Sequence, residues 1–359
     1  MEGWDEYALL PPSGLFGYTG DFTLQGLSSG YAGGALLQEL GVLDHTTRTG
    51  IGLAWTISWP SGLLRALDTT VDNIVTGFAY RVNGPIFAPI MTFVVNNFLG
   101  SQWLTAGLYY NGNGAVTFGI YNKYGQLTNS WHSTPNVVFG GIWQYIEIKY
   151  VQDATNGTVL VKVDGIVVLN ITGVPTIDPA MQPGINMVGV NGPQNTSMSY
   201  DDWYVLTNDG NGLCDFLGDV VIRALTPNTD AGPNTMTQFG GSLGHYTTLN
   251  DPASADNASY VYSTTIGDAE QFTLSALPID IIDVLAVEIG VRAQKTSAGA
   301  SCYQIYGSYG GSITASPVHA THTSWNTERY RMETCPDGSA WTLTSAQNLQ
   351  AGFEIVATP

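Results

Sequence analysis

MSYDDWYVLTNDGNGLCDFLGDVVIRAL, residues 198–225, is the stretch on which the reading of the whole chain turns. Met198, Tyr200, Asp202 and Tyr204 alternate with Ser199, Asp201, Trp203 and Val205, the period of two that a strand requires. Asn208-Asp209-Gly210-Asn211-Gly212 then gathers the residues that tolerate positive φ, so the chain leaves its sheet there. A short link, 213–218, leads to a second apolar run, 220–225, which predicts a new strand. What lies on either side is long enough to be a domain. The stretch is the seam between two β-sandwiches.

Working outward, the length supports that division. At 359 residues the chain exceeds the roughly 250–300 residues at which single cores stop growing. Frequent Gly (43) and Pro (17) with no charge-rich run suit many short strands joined by tight turns. No run of 18 apolar residues is present, so no helical membrane span is expected. The opening MEGWDEYALL lacks a basic region followed by an apolar one and does not read as a signal peptide. Eleven Lys+Arg against 29 Asp+Glu give a formal charge of −18. That balance argues against nucleic acid and against an anionic membrane as partners.

Upstream of the seam, strands are expected at 50–59, 75–82, 89–95, 103–110 and 115–121, with shorter ones near 8–10 and 35–40. Asn111-Gly112-Asn113-Gly114 is a hairpin signal. Residues 145–151 (YIEIKYV) place Ile146, Ile148 and Tyr150 on one face and Glu147 and Lys149 on the other. Residues 159–163 and 166–170 flank Asp164-Gly165, a two-residue loop of the type I′ kind. Downstream, strands are expected at 220–225, 260–263, 271–274, 282–294, 301–307, 327–333 and 353–357. Residues 251–258 are expected to form a polar loop, and 345–349 a turn of helix or a loop.

These pieces carry a resemblance. The opening Met1-Glu2-Gly3-Trp4-Asp5, the WQYIEIKY strand with its DG hairpin and the closing SYDDWYVL resemble the concanavalin A-like (laminin-G-like) sandwich module of tailed-bacteriophage structural proteins. Residues 211–225 look like the junction that follows that module. Residues 260–277, 284–295 and the terminal GSAWTLTSAQNLQAGFEIV resemble the second, smaller β domain of the same proteins. The fold class expected is therefore all-β: a concanavalin A-like jelly-roll sandwich over 1–207, a linker over 208–218 and a second, smaller β-sandwich over 219–359.

The resemblance implies a non-enzymatic virion structural protein on the exposed surface of a phage particle. It would form part of a tail or fibre appendage with host-surface contact. Capsid decoration and a carbohydrate-binding adsorption module are the alternatives. Its expected partners are other virion proteins, further copies of itself (a trimer favoured) and a host cell-surface glycan, with no cofactor.

The candidate chemistry is sparse. No carboxylates stand at the one-strand E-x-D-x-x-E spacing that glycoside hydrolysis needs: Glu147 is followed by Ile148-Lys149, and Asp201 and Asp202, being adjacent, point to opposite faces. Asp201 and Asp202 are weak candidates for a Ca²⁺ site. His319 and His322 form H-x-x-H in a Thr/Ser-rich segment with no third ligand indicated. No phosphate-cradling loop or nucleophile motif is present. Two Tyr-rich segments are the candidate sugar platforms, Tyr109, Tyr110 and Asn111 with Tyr121 and Tyr124, and Tyr303, Tyr306 and Tyr309, because a phenol offers an apolar face and a polar tip. Alternating tyrosines equally suit a half-buried sheet surface. Cys214, Cys302 and Cys335 are odd in number and lack CxxC spacing. Cys302 and Cys335 either pair or pack as buried thiols.

Overall fold

The computed structural model describes residues 22–23, 42–44, 54–58, 62–82, 88–96, 102–181, 183–191, 197–207, 215–240, 244–249, 259–279, 281–296 and 301–356. They divide into two units, the first running to Ile222 and the second starting at Arg223. The expected strands at 8–10 and 35–40, the Gly/Asn break at 208–212, Cys214 and the loop at 251–258 lie outside the described residues.

The first unit opens with β1 (Phe22–Thr23), β2 (Val42–Asp44), β3 (Ala54–Ser58), β4 (Gly62–Val71), β5 (Asn73–Val82), β6 (Ala88–Asn96) and β7 (Gln102–Tyr110). It continues with β8 (Val116–Tyr121), β9 (Leu127–His132), β10 (Gln144–Val151), β11 (Gly157–Val163), β12 (Ile166–Val174), β13 (Ile185–Asn191) and β14 (Ser197–Thr207). Two antiparallel sheets result, ordered β1-β4-β13-β6-β7-β8-β9 and β12-β11-β10-β5-β14-β3-β2. This is the concanavalin A-like jelly-roll sandwich. The apolar positions of each strand meet between the sheets. Phe93 of β6 and Phe118 of β8 close on Tyr150 of the opposite sheet, with ring centroids 5.0 and 5.1 Å from it. Tyr200 packs on Phe78 and Tyr80, and its hydroxyl donates across the sandwich to the Ile90 carbonyl at 3.0 Å. A buried phenol needs such a partner, and each aromatic pair adds about 0.5–1.5 kcal/mol beyond area burial.

The β10–β11–β12 meander follows the sequence pattern closely. Asp164 (φ 50°) and Gly165 (φ 77°) both adopt the positive φ of a type I′ turn. The Asp164 carboxylate accepts the Tyr145 N–H at 2.7 Å and the Gln144 amide at 3.0 Å. Strand β14 departs from simple alternation. Its register against β5 shifts between Asp201 and Tyr204, a β-bulge, with Asp202 at φ 51°. Met198 and Tyr200 face the core, but beyond the bulge it is Trp203 that turns inward, its indole N–H donating to Thr76 Oγ1 at 2.8 Å. Tyr204 is thereby sent to the outer face, opposite to the expectation that it shares a face with Tyr200.

The expected strand at 220–225 is not one. Residues 215–222 run as an irregular strap across the outer face of β10, β5 and β14. Phe216, Leu217 and Val220 pack on Val75, Ala79, Tyr145, Tyr204 and Leu206 there. That cover explains why nearly every residue of β5 is buried, on both faces.

The second unit holds β15 (Pro227–Asp230), β16 (Thr237–Phe239), α1 (His245–Leu249), β17 (Tyr260–Tyr262), β18 (Ala269–Leu274), β19 (Val287–Ala293) and β20 (Cys302–Tyr309). It ends with β21 (Ser312–Ala315), β22 (His319–Ala320), β23 (Asn326–Met332), α2 (Leu343–Gln347) and β24 (Gln350–Val356). A sheet ordered β15-β18-β24-β20-β21 faces the β19–β23 pair. Ile289, Tyr303, Ile305, Met332, Cys335, Trp341, Ala346 and Leu349 fill the space between. The strand expected over 282–294 is confined to β19; Ile282, at 90% relative exposure, precedes it. Helix α2 starts on a capping box in which Thr342 and Ser345 satisfy each other's backbone N–H. Among the described residues no helix is long and apolar enough to cross a membrane.

Candidate functional site

Alternation fixes which side chains β7, β8 and β9 present away from the core. Phe118 and Ile120 turn inward, so Thr117, Gly119 and Tyr121 turn outward. Cross-strand pairing sets them in rows. Tyr109 lies opposite Thr117, and Thr117 opposite His132; Gly107 lies opposite Gly119, and Gly119 opposite Ser130; Tyr121 lies opposite Leu127. The two glycines are where this face needs no side chain. A Cβ on Gly107 would stand 2.8 Å from the Tyr109 hydroxyl, and one on Gly119 would stand 2.8 Å from Leu127 Cδ1. Tyr109 therefore folds down over Gly107, and the Tyr121 ring stands 6.2 Å from it, tilted by 57°.

Beside this ring pair runs a hydrogen-bonded chain. Asn111 Nδ2 donates to Thr117 Oγ1 at 2.6 Å, and Thr117 Oγ1 stands 2.7 Å from His132 Nδ1. Ser130 Oγ lies 3.4 Å from His132 Nε2. A hydroxyl has one hydrogen and two lone pairs, so Thr117 satisfies Nδ1 in either tautomer. Each ring nitrogen thus has a hydroxyl beside it, and the side chain of His132 is exposed. At the far end of β9 the turn at 122–126 is built on Asn122, whose Oδ1 accepts the backbone N–H of Tyr124 at 2.9 Å and of Gln126 at 3.0 Å. This turn presents Tyr124, 75% exposed, with the Lys123 ammonium 5.2 Å from its ring centroid.

Of the first Tyr-rich group, Tyr109, Asn111 and Tyr121 thus come together, Tyr109 buried and Tyr121 half-buried, while Tyr124 stands exposed in the turn between β8 and β9. Tyr110 does not join them: it turns into the core, where burial pushes its phenol up. The second group is not an open platform. It lies on the strand expected over 301–307, β20, with Tyr303 and Tyr306 buried in it. Burial, and then the Glu328 charge, push the Tyr303 phenol up. Tyr306 donates to the Glu270 carbonyl at 3.1 Å and is pushed up to about 12, first by burial. Tyr309 is partly buried against the same core.

The remaining candidates serve structure. Asp202 and Asp201 are both buried. Asp202 Oδ1 accepts the Ile222 N–H of the strap at 2.8 Å, and Asp201 Oδ1 accepts the Asp202 N–H at 2.9 Å. Among the described residues no group of three His, Cys, Asp or Glu is placed to hold a metal ion. His319 Nδ1 pairs with Glu328 Oε2 at 3.3 Å. Cys302 and Cys335 are both buried free thiols, so they do not pair; Cys302 is held in β20 while Cys335 packs in the core against other elements.

Glu147 is occupied too. Its Oε1 accepts the Tyr204 hydroxyl at 2.7 Å and the Gly218 N–H at 2.9 Å, beneath the strap. Ser130 and His132 are not legible in the sequence because β9, LTNSWH, is a polar edge strand with no apolar alternation, and Thr117 of β8 joins them only through cross-strand pairing. The i, i+2 spacing of Ser130 and His132 was the signal that could have found them.

No protein-family model and no curated protein matches the chain. Solved structures do. The alginate lyase Aly36B is 12% identical with a TM-score of 0.30, over 43% of this chain and 81% of its own. Alginate lyase A1-II′, of polysaccharide lyase family 7, is 12% identical with a TM-score of 0.36, over 47% and 83%. The CBM40 module of a Ruminococcus gnavus sialidase, bound to sialyllactose, is 12% identical with a TM-score of 0.29, over 39% and 80%. At these values no residue role is carried across. They do correct one expectation. The solved structures named above are alginate lyases and a sialidase carbohydrate-binding module, none of them a phage particle component. The reading as a non-enzymatic virion protein of a tail, fibre or capsid surface is therefore not upheld.

Proposed function

We propose that the first unit binds carbohydrate on the outer face of β7, β8 and β9. The observation that carries this reading is the Asn111–Thr117–His132 chain set directly beside the Tyr109–Tyr121 ring pair. A sugar offers apolar C–H patches on its ring faces and hydroxyls around its rim. The half-buried Tyr121 ring, backed by buried Tyr109, and the Asn111 amide and exposed His132 imidazole, positioned through buried Thr117, meet those two needs together. The sandwich holds these groups on strands rather than on loose loops, which keeps the ordering cost of binding low.

The test is a glycan array probed with the full chain, followed by calorimetry on the strongest hit. Tyr121→Ala and Asn111→Ala are expected each to weaken binding by about tenfold, the effect of losing roughly 1.4 kcal/mol, with the urea midpoint little changed. An array blank for the parent protein removes the reading.

A further inference from the structure

The charge of this chain is distributed unevenly, and the unevenness coincides with the candidate face. With Asp or Glu at 29 of 359 positions, about six would fall by proportion between Asp72 and Glu147. Residues 73–146 contain none. That stretch makes up β5, β6, β7, β8 and β9 in full. The strands carrying the candidate site are thus free of carboxylates on a chain whose formal charge is −18.

The cations there are also unengaged by acids. Elsewhere in the described structure Lys149 pairs with Asp215, Arg329 with Glu288 and Arg331 with Glu333, while Lys162 and Arg292 lie over the rings of Phe216 and Trp325. Among the described residues, Lys123 has the Tyr124 ring beside it and His132 the hydroxyls of Thr117 and Ser130, with no carboxylate paired to either. The two stand at opposite ends of β9, which runs from Leu127 to His132, roughly 17 Å at about 3.4 Å per residue. Strand β9 is the edge of its sheet.

We infer that the ligand is an acidic polysaccharide, lying along β8 and β9 with its carboxylates toward Lys123 and His132. This rests on the carbohydrate-binding reading of the same face. The elsewhere acidic surface repels a polyanion, so the acid-free strands are where one can approach. Lys123 is a compact, flexible point charge suited to a carboxylate, and His132 presents an exposed imidazole at the other end of β9. A separation spanning the length of β9 suits the interior of a chain better than a single sugar, and an edge strand lets that chain run on past the site at either end.

The experiment uses the full chain with polygalacturonate and with hyaluronan, each beside its carboxyl-reduced neutral form. The acidic forms are expected to bind about tenfold more tightly than the reduced ones at low salt. The advantage should shrink as salt rises, because exposed pairs are screened. Lys123→Ala, outside the Asn111–Thr117–His132 chain, should remove most of the advantage while leaving binding of the neutral forms in place. Equal binding of acidic and reduced forms overturns the inference and leaves carbohydrate binding standing. So does a glycan array whose hits are all neutral, with neither polyuronate bound. A blank array together with no binding to any of the four probes removes both.

Discussion

Removing the carboxylate of Glu147 should unfasten the strap. Two donors converge on its Oε1, the Tyr204 hydroxyl at 2.7 Å and the Gly218 N–H at 2.9 Å. The Tyr204 oxygen in turn accepts the Leu217 N–H at 3.2 Å. Glu147→Ala leaves both donors without their acceptor, each at about 1–3 kcal/mol if it stays buried. Relief from burying a carboxylate offsets part of that. The net expectation is a loss of about 2–4 kcal/mol. Glu147→Gln keeps an acceptor oxygen in the same place and should cost about half as much or less. Urea unfolding followed by tryptophan fluorescence measures the loss, provided the slope with denaturant stays constant. Amide exchange at Leu217 and Gly218 reports the strap itself. A double-mutant cycle with Tyr204→Phe should give a coupling of about 0.5–3 kcal/mol. If Glu147→Ala stays within about 0.5 kcal/mol of the parent, as substitutions away from such networks do, or leaves both amides equally protected, the strap is not held through this carboxylate.

Two further outcomes follow from the same unit. The Asp215 carboxyl is held below the ordinary aspartate range, first by the Phe216 N–H and also by Lys149. Its contribution to fastening the strap is present above the ordinary value, about 3.9, and lost as pH falls through the lowered one. Exchange of the Phe216 amide should therefore accelerate on acidification across that window, and in Asp215→Asn the acceleration should be smaller. Asp164→Ala should cost about 1–3 kcal/mol, since it removes the acceptor for the Tyr145 N–H and puts a plain Cβ at positive φ. Asp164→Asn, which tolerates that φ and retains an acceptor, should cost less than half as much; equal losses in a thermal melt would mean the turn conformation is not what matters.

The parts of the fold legible in the sequence are those where local and tertiary demands agree. In YIEIKYV and across Asp164-Gly165, alternation and turn chemistry ask for the same meander that packing requires. Strand β14 shows where such agreement ends. Periodicity alone carries Tyr204 to the face of Tyr200, and the inserted residue at the bulge reverses that. Nothing in SYDDWYVL announces a bulge, because Asp tolerates positive φ but does not demand it. Residues 220–225 read as a strand since an apolar run covering a sheet looks like an apolar run within one. The same ambiguity splits the tyrosines: half-buried strand and exposed platform have the same spacing, and burial separates Tyr121 and Tyr124 from Tyr109, Tyr303 and Tyr306, which are all buried. His132 was passed over because an edge strand need not alternate.

The strap also decides how the first unit would bear load. The chain does not pass to Arg223 straight from the end of β14. Tension applied through Arg223 meets Ile222 first, whose N–H is held by Asp202, and then Gly218 and Leu217, held by Glu147 and Tyr204. These contacts lie outside the sheet, so a pull on this end would load them before the hydrogen-bond ladder between β14 and β5. The strap would then act as a mechanical fuse, lengthening the chain under force and sparing the sandwich.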